Sequence, residues 1–246
     1  MKRMTDIVLC TKDRLGLLKQ SLAHILERTR SPYRLFVIDD ASSEGNAEYL
    51  QGLWANSKLA GLVLRREGQH IASNWNIAPR LAQSEVMVFT DDDLLCPNLE
   101  PDWMARGLAA MAAYRKLGML ALNNPACTAV HAITAIRRVG PITICDRVGA
   151  HLAFIRRDLM RQIVIPEVGG ELCGMRIQSD SRGLDRAWSR AIQRQGYAVA
   201  YLSDVYCWHI GSHSVRNGQD LSGRFVTPID EETLEPPHGM RGGCAE

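Results

Sequence analysis

At 246 residues and 46% apolar composition, the chain is long enough for one large α/β domain or two small ones. One domain over residues 1–215, with a tail or lid over 216–246, is the expectation. Its 29 basic side chains nearly balance 27 acidic ones, so a broad nucleic-acid footprint is excluded and any phosphate chemistry must be local. Seven cysteines, odd in number and without a C-x-x-C pair, point away from a disulfide framework or zinc site and toward a reducing, cytoplasmic setting. No stretch approaches the roughly 18 apolar residues that span a bilayer, which leaves peripheral contact as the form of membrane association to expect.

Taken in chain order, Ile7–Cys10 reads as a buried strand. The polar loop Thr11-Lys12-Asp13-Arg14 follows, then a helix marked by Leu15, Leu18, Leu22, Ile25 and Leu26. Leu35–Ile38 is a second strand running into Asp39-Asp40-Ala41-Ser42-Ser43, and Leu62–Leu64 a third. Ala72–Ala82 has helical spacing, although Pro79 should end or kink it. Val86–Phe89 is a buried strand that delivers Asp91, Asp92 and Asp93 from its end. Trp103–Tyr114 reads as a helix and Met119–Leu122 as a strand. Val130–Arg138, Ile142–Cys145 and Leu152–Ile155 are short β-prone pieces broken by Gly140-Pro141 and Gly149. Leu184–Gln195 is a helix with Gly196 as its C′ residue, Ala198–Leu202 is a strand, and beyond Val215 the chain turns polar. Alternating strands and helices predict a mostly parallel central sheet flanked by helices, with its loops gathered at one edge.

In such a sheet, ligands bind outside the carboxyl ends of the strands, where Thr11, Asp13, Asp39, Asp40, Asp91 and Asp93 should converge. Adjacent carboxylates repel, so Asp91 to Asp93 require a positive partner; Asp91 and Asp93, alternating along an extended segment, can share one hard divalent cation such as Mg²⁺ or Mn²⁺. The plainer readings are a solvated acidic loop, an Asx turn at Asp39 and Asp40, and a helix N-cap at Thr11 or Asp13. The chain has neither G-x-G-x-x-G after its first strand nor G-x-x-x-x-G-K-[ST] anywhere, which counts against dinucleotide redox enzymes and P-loop NTPases.

Six short segments resemble, in order and spacing, glycosyltransferase family 2, whose fold is GT-A. They are Ile7 to Arg14, Val37 to Ser42, Ala72-Ser73-Asn74, Phe89 to Asp93, Gly183-Leu184-Asp185 ahead of Gly196-Tyr197, and Trp208 to Ser212. The resemblance implies that Thr11 lies against base or ribose, and that Asp39 accepts from uracil N3–H, which favours a UDP-sugar. It implies that Asp91 touches ribose or metal-bound water, and that Asp93 ligates the metal with help from Asp91. Asp13, Arg14, Arg66, Asn74 and Asp92 become nucleotide-sugar neighbours. His209 is placed at the metal or diphosphate, against the plainer reading of a packed histidine beside Trp208. His151 is placed where the acceptor-side strand begins, either facing the sugar or simply half buried. The family's usual Glu-Asp is here Leu184-Asp185; the second acid, the general base of inverting members, survives, and the missing first acid bears on acceptor positioning.

The implied activity is metal-dependent transfer of a hexosyl or N-acetylhexosaminyl group from a nucleotide diphosphate to a hydroxyl of a glycan, lipid-linked or small-molecule acceptor. Inversion is the expected outcome, with retention left open because a metal-bound histidine also occurs in retaining enzymes of this fold. The alternatives are a sugar-phosphate nucleotidyltransferase and a non-catalytic nucleotide-sugar-binding subunit. The first usually carries a Gly-rich basic segment after strand one, for which Thr11 to Arg14 is a poor substitute.

Overall fold

The computed structural model describes residues 4–43, 45–69, 71–124, 133–150, 152–165, 171–172, 175–176 and 183–210. His151, Gly211, Ser212 and the tail over 216–246 lie outside the described residues.

A sheet of nine strands forms the centre, in the order β3-β2-β1-β4-β9-β6-β12-β8-β7. Its first half is β1 (Thr5–Thr11), β2 (Tyr33–Asp39), β3 (Gly61–Leu64) and β4 (Val86–Asp91), all mutually parallel. β1 is buried on both faces, as a near-continuous apolar run predicts. Ile7 and Leu9 point to one face with the helices α1 (Leu15–Arg28), α2 (Asn46–Ala55) and α4 (Trp103–Ala113). Val8 and Cys10 point to the other with α3 (Ile71–Leu81), α5 (Arg157–Gln162) and α6 (Leu184–Arg194).

The second half departs from the parallel expectation. β6 (Leu117–Asn123) and β12 (Ala198–Tyr206) are parallel to each other. The short β9 (Ala153–Arg156) is wedged antiparallel between β4 and β6, and β7 (Ala135–Val139) and β8 (Ile142–Cys145) close the edge as an antiparallel hairpin on β12. The sheet is therefore mixed. Small pairs β10 (Glu171–Leu172) with β11 (Met175–Arg176), and β5 (Leu94–Leu95) with β13 (Trp208–His209), lie outside it.

Most predicted elements are present with boundaries moved by a few residues. Pro79 does not end α3: it sits close enough to the helix end that little of the backbone ladder is lost, and Ala82 N–H still reaches the Ala78 carbonyl at 3.2 Å. Gly196 has φ 78°, the left-handed C′ conformation expected of it. α4 packs so closely on the sheet that a Cβ at Gly107 would lie 2.2 Å from the Phe154 ring.

Candidate functional site

Strand register builds the site. Thr11 lies opposite Asp39 across β1 and β2, Asp39 opposite Leu64 across β2 and β3, and Cys10 opposite Asp91 across β1 and β4. The carboxyl ends of four parallel strands thus finish level, and their following loops share one crevice.

The loop after β1 folds back over the acids. Asp13 adopts φ 51°, a left-handed conformation that Asp tolerates better than most residues. Its carboxylate accepts from the Ser43 backbone N–H at 2.6 Å and hydroxyl at 2.9 Å, while its own N–H donates to Ser42 Oγ at 3.0 Å. Asp13 therefore ties two loops together. It does not cap α1, whose N-cap residue is Arg14 without a side-chain cap bond.

Arg14 supplies the positive charge that the acidic run requires. One guanidinium nitrogen donates to Asp93 Oδ2 at 2.6 Å, the other to Asp92 Oδ1, and Thr11 Oγ1 donates to Asp92 Oδ2 at 2.6 Å. Asp92 and Asp93 are 0% and 2% exposed, so these bonds carry the weight of keeping them ionised. Burial still pushes Asp92 up to about 6, against the lowering pull of Arg14 and Thr11. Burial, then the Asp93 and Asp92 charges, push Asp91 up to about 8. Burial alone would make Arg14 less basic, but Asp92, Asp93 and Asp91 hold it firmly charged.

His209 arrives from far along the chain. The two-residue β13 pairs with β5, placing His209 opposite Leu94, and Ile210 N–H donates to the Asp93 carbonyl at 2.9 Å. His209 Nε2 consequently lies 3.1 Å from Asp93 Oδ1. Among the described residues no three His, Cys, Asp or Glu side chains converge as a cage for a metal ion. Asp93 and His209 offer one carboxylate and one imidazole. A pair of that kind suits a divalent cation held mainly through substrate phosphates and water.

Asp185 enters from the opposite wall. It lies in the first turn of α6, whose N-cap is Gly183, and its Oδ1 accepts from the Ala150 N–H at 3.2 Å. Its charge is among those that raise Asp91, which places both acids in one electrostatic neighbourhood. The helix N-terminus favours an anion at this position.

At the end of β2, Asp39 is 2% exposed and its carboxylate accepts from the Ser42 hydroxyl and, at 3.3 Å, from the Ser42 N–H three residues on. Asn74 is 3% exposed with its Oδ1 lacking a hydrogen-bond partner. Arg66 is exposed, whereas its neighbour Arg65 turns inward, bonding Ser73 Oγ at 3.1 Å and lying 3.7 Å from Asp40. Parity along β3 carried that signal: Val63 packs on the α3 side of the sheet, so Arg65, two residues on, faces the same way. Asp40 also accepts from Gln69 N–H at 2.8 Å and lies 3.5 Å from Lys12. Asn46, the first residue of α2, donates to both Thr11 and Ser42 at 3.2 Å. Sequence reasoning named neither Asn46 nor Arg65. His151 lies outside the described residues.

The sequence profile described as glycosyl transferase family 2 matches residues 6–182, stopping just short of Asp185. No curated protein matches the chain significantly. Among solved structures, a mannosyltransferase from Pyrobaculum calidifontis in complex with GDP-Man and Mn²⁺ superposes with a TM-score of 0.64 at 20% identity, covering 88% of this chain and 60% of that one. S. aureus TarS 1–349 in complex with UDP-GlcNAc gives 0.57 at 16% identity, over 84% of this chain and 58% of that one. GalNAc-T7 with UDP, GalNAc and Mn²⁺ gives 0.62 at 12% identity, over 84% of this chain and 43% of that one. These likenesses establish the GT-A fold. The chain spans 60% or less of the length of each of these three.

Proposed function

The chain belongs to glycosyl transferase family 2, and from that premise we propose that it moves a hexosyl or N-acetylhexosaminyl group from a UDP-sugar to a hydroxyl acceptor, with Mn²⁺ or Mg²⁺ and with inversion. One observation carries the reading. Arg14, Asp91, Asp92 and Asp93 gather at the ends of parallel strands, with His209 3.1 Å from Asp93 and Asp185 facing them from another helix.

Asp93 and His209, with Asp91 beside them, would hold the divalent cation, which would supply charge neutralisation to the leaving diphosphate. Thr11, Asp39 and Asn74 line the nucleoside end, with Arg65 and Arg66 beside it. Asp39 pairs with uracil N3–H through the outer face of a carboxylate that Ser42 already orients. Asp185 accepts the acceptor hydroxyl's proton as that oxygen attacks the anomeric carbon, and the Ala150 N–H helps orient its carboxylate. Support for a nucleotide-sugar donor also comes from the similar structures, which were solved with GDP-Man, UDP-GlcNAc or UDP.

Calorimetric titration of UDP, GDP and CDP in Mn²⁺ tests the donor class, and UDP should bind tightest. A tenfold preference for GDP, about 1.4 kcal/mol, would remove Asp39 from the uracil role and leave it a turn residue. A proton NMR spectrum of the product reads the anomeric configuration.

A further inference from the structure

Asp92 and Asp93 are buried carboxylates that cannot leave the crevice, because they sit in the tight turn between β4 and β5. Their partner can. The Arg14 side chain is 33% exposed, and it hangs from a helix start that is anchored independently by Asp13 and Ser43. One guanidinium therefore serves two fixed acids from a partly exposed side chain. We infer that Arg14 is a resident counter-ion of these acids, and that metal and donor diphosphate enter together because both are needed to displace it.

This inference rests on the donor-binding reading above, and charge balance drives it. A divalent cation arriving alone meets a like-charged guanidinium 2.6 Å from the oxygen beside its own position, and expelling Arg14 would strand that charge with no anion to receive it. A diphosphate arriving alone meets the buried acids Asp92 and Asp93 with their one counter-ion already engaged. When both arrive, the added charges nearly cancel. The displaced guanidinium then gains phosphate oxygens, for which its planar fork is well shaped. Arg14 thus acts as a positioning residue that couples the two binding events, in addition to any contact it makes with the donor.

The test follows Mn²⁺ by electron paramagnetic resonance, using wild type and Arg14→Gln with and without UDP or GDP. In wild type, Mn²⁺ should bind weakly alone and at least about tenfold tighter with nucleotide; in Arg14→Gln, Mn²⁺ alone should bind at least about tenfold tighter than to wild type, and the nucleotide's enhancement should shrink. If the variant loses thermal stability, Mn²⁺ alone should restore it in the variant but not raise the wild-type midpoint; absence of that restoration counts against the inference. Arg14→Lys, which keeps one charge without the fork, should fall between the two. Should Arg14→Gln take up Mn²⁺ no better than wild type while nucleotide still recruits Mn²⁺ to both, Arg14 is an ordinary clamp and the proposed function stands. If nucleotide binds but recruits Mn²⁺ to neither, the metal-dependent reading and this inference fall together.

Discussion

Arg14 at the start of α1 lies 2.6 Å from Asp93 in the turn between β4 and β5, so the loop from β1 to α1 and the acidic turn after β4 are joined by one guanidinium. Everything else in the crevice is arranged around that pair. Thr11 holds Asp92 from behind, His209 approaches Asp93 from the far side, and Asp13 pins the loop that carries Arg14.

Asp93 is the group expected to contact the metal directly. Asp93→Ala should abolish Mn²⁺-dependent transfer, a loss of about 10² or more, while the fold survives because removing one carboxylate relieves repulsion with Asp91 and Asp92. Transfer or donor-hydrolysis assays with and without Mn²⁺, beside a thermal melt, check it. Unchanged activity with full metal dependence would discard the assignment.

Asp185 separates catalysis from capping. Gly183, not Asp185, is the N-cap of α6, so Asn at 185 need not disturb the helix and can still accept from Ala150 N–H. Asp185→Asn should lower kcat by about two or more orders of magnitude and leave UDP affinity nearly constant. Near-normal turnover would reduce Asp185 to a residue that merely fastens the loop at Ala150.

Asp102 is a structural keystone remote from the crevice. Buried at 3% exposure, it caps α4 through Ala105 N–H at 2.7 Å and accepts from Arg30 N–H, Ser31 N–H and Ser31 Oγ between 2.5 and 2.8 Å. Asp102→Ala loses the cap and leaves partly buried donors unmet, which should cost about 1–3 kcal/mol in a urea melt without altering the ratio of rates among sugar donors.

Acid sensitivity should come from the same residue and from Asp6. Burial raises both carboxyls, yet Arg34 with the Ser84 and Gln83 N–H groups outweighs it at Asp6, and the Ala105, Ser31 and Arg30 contacts outweigh it at Asp102. Each folded-state value lies below the ordinary 3.8, so each contributes stability that is present above that value and is lost as pH falls through the lower, folded one. Denaturant midpoints should drop steeply below about pH 4. Asp6→Asn should flatten that drop, and an unchanged slope would show other groups to be responsible.

Gly107→Ala should destabilise despite the better helix propensity of Ala. The new Cβ would stand 2.2 to 2.7 Å from three atoms of the fully buried Phe154 ring, which is itself packed against Trp103. Overpacking of about 1–3 kcal/mol or more exceeds the gain of about 1 kcal/mol expected from replacing a helical Gly. A higher melting temperature for the variant would show that Phe154 has room to move.

The convergence of polar residues at the strand ends was legible because each of its signals is local. An apolar run, the polar residue that ends it and the next run appear in order, and parallel register then brings Thr11, Asp39 and Asp91 level without further information. The remainder depends on partners that local sequence does not announce. The four residues of β9 read as a strand, but nothing in Ala153–Arg156 says that it runs antiparallel between β4 and β6. α2 passed unnoticed because Leu50 is its only fully buried large apolar side chain, while Trp54 is 57% exposed. Telling Arg65 from Arg66 needed the face on which β3 packs. His209 at Asp93 needed a two-residue pairing between segments far apart in the chain.

The insertion of β9 also sets an order of assembly. β1, β2 and β3 pair with their neighbours in sequence and β4 returns to the free edge of β1, so the strands that end in Thr11, Asp39 and Asp91 can form a sheet from residues 5–91 alone. β6 has no place beside them until β9 has been made, and β12 joins β6 only later still. Closing such distant pairings is slow compared with closing local ones, and a chain emerging from the ribosome folds its early segment first. A nascent chain therefore displays its acidic crevice, already covered by Arg14, before the helix that carries Asp185 has been synthesised.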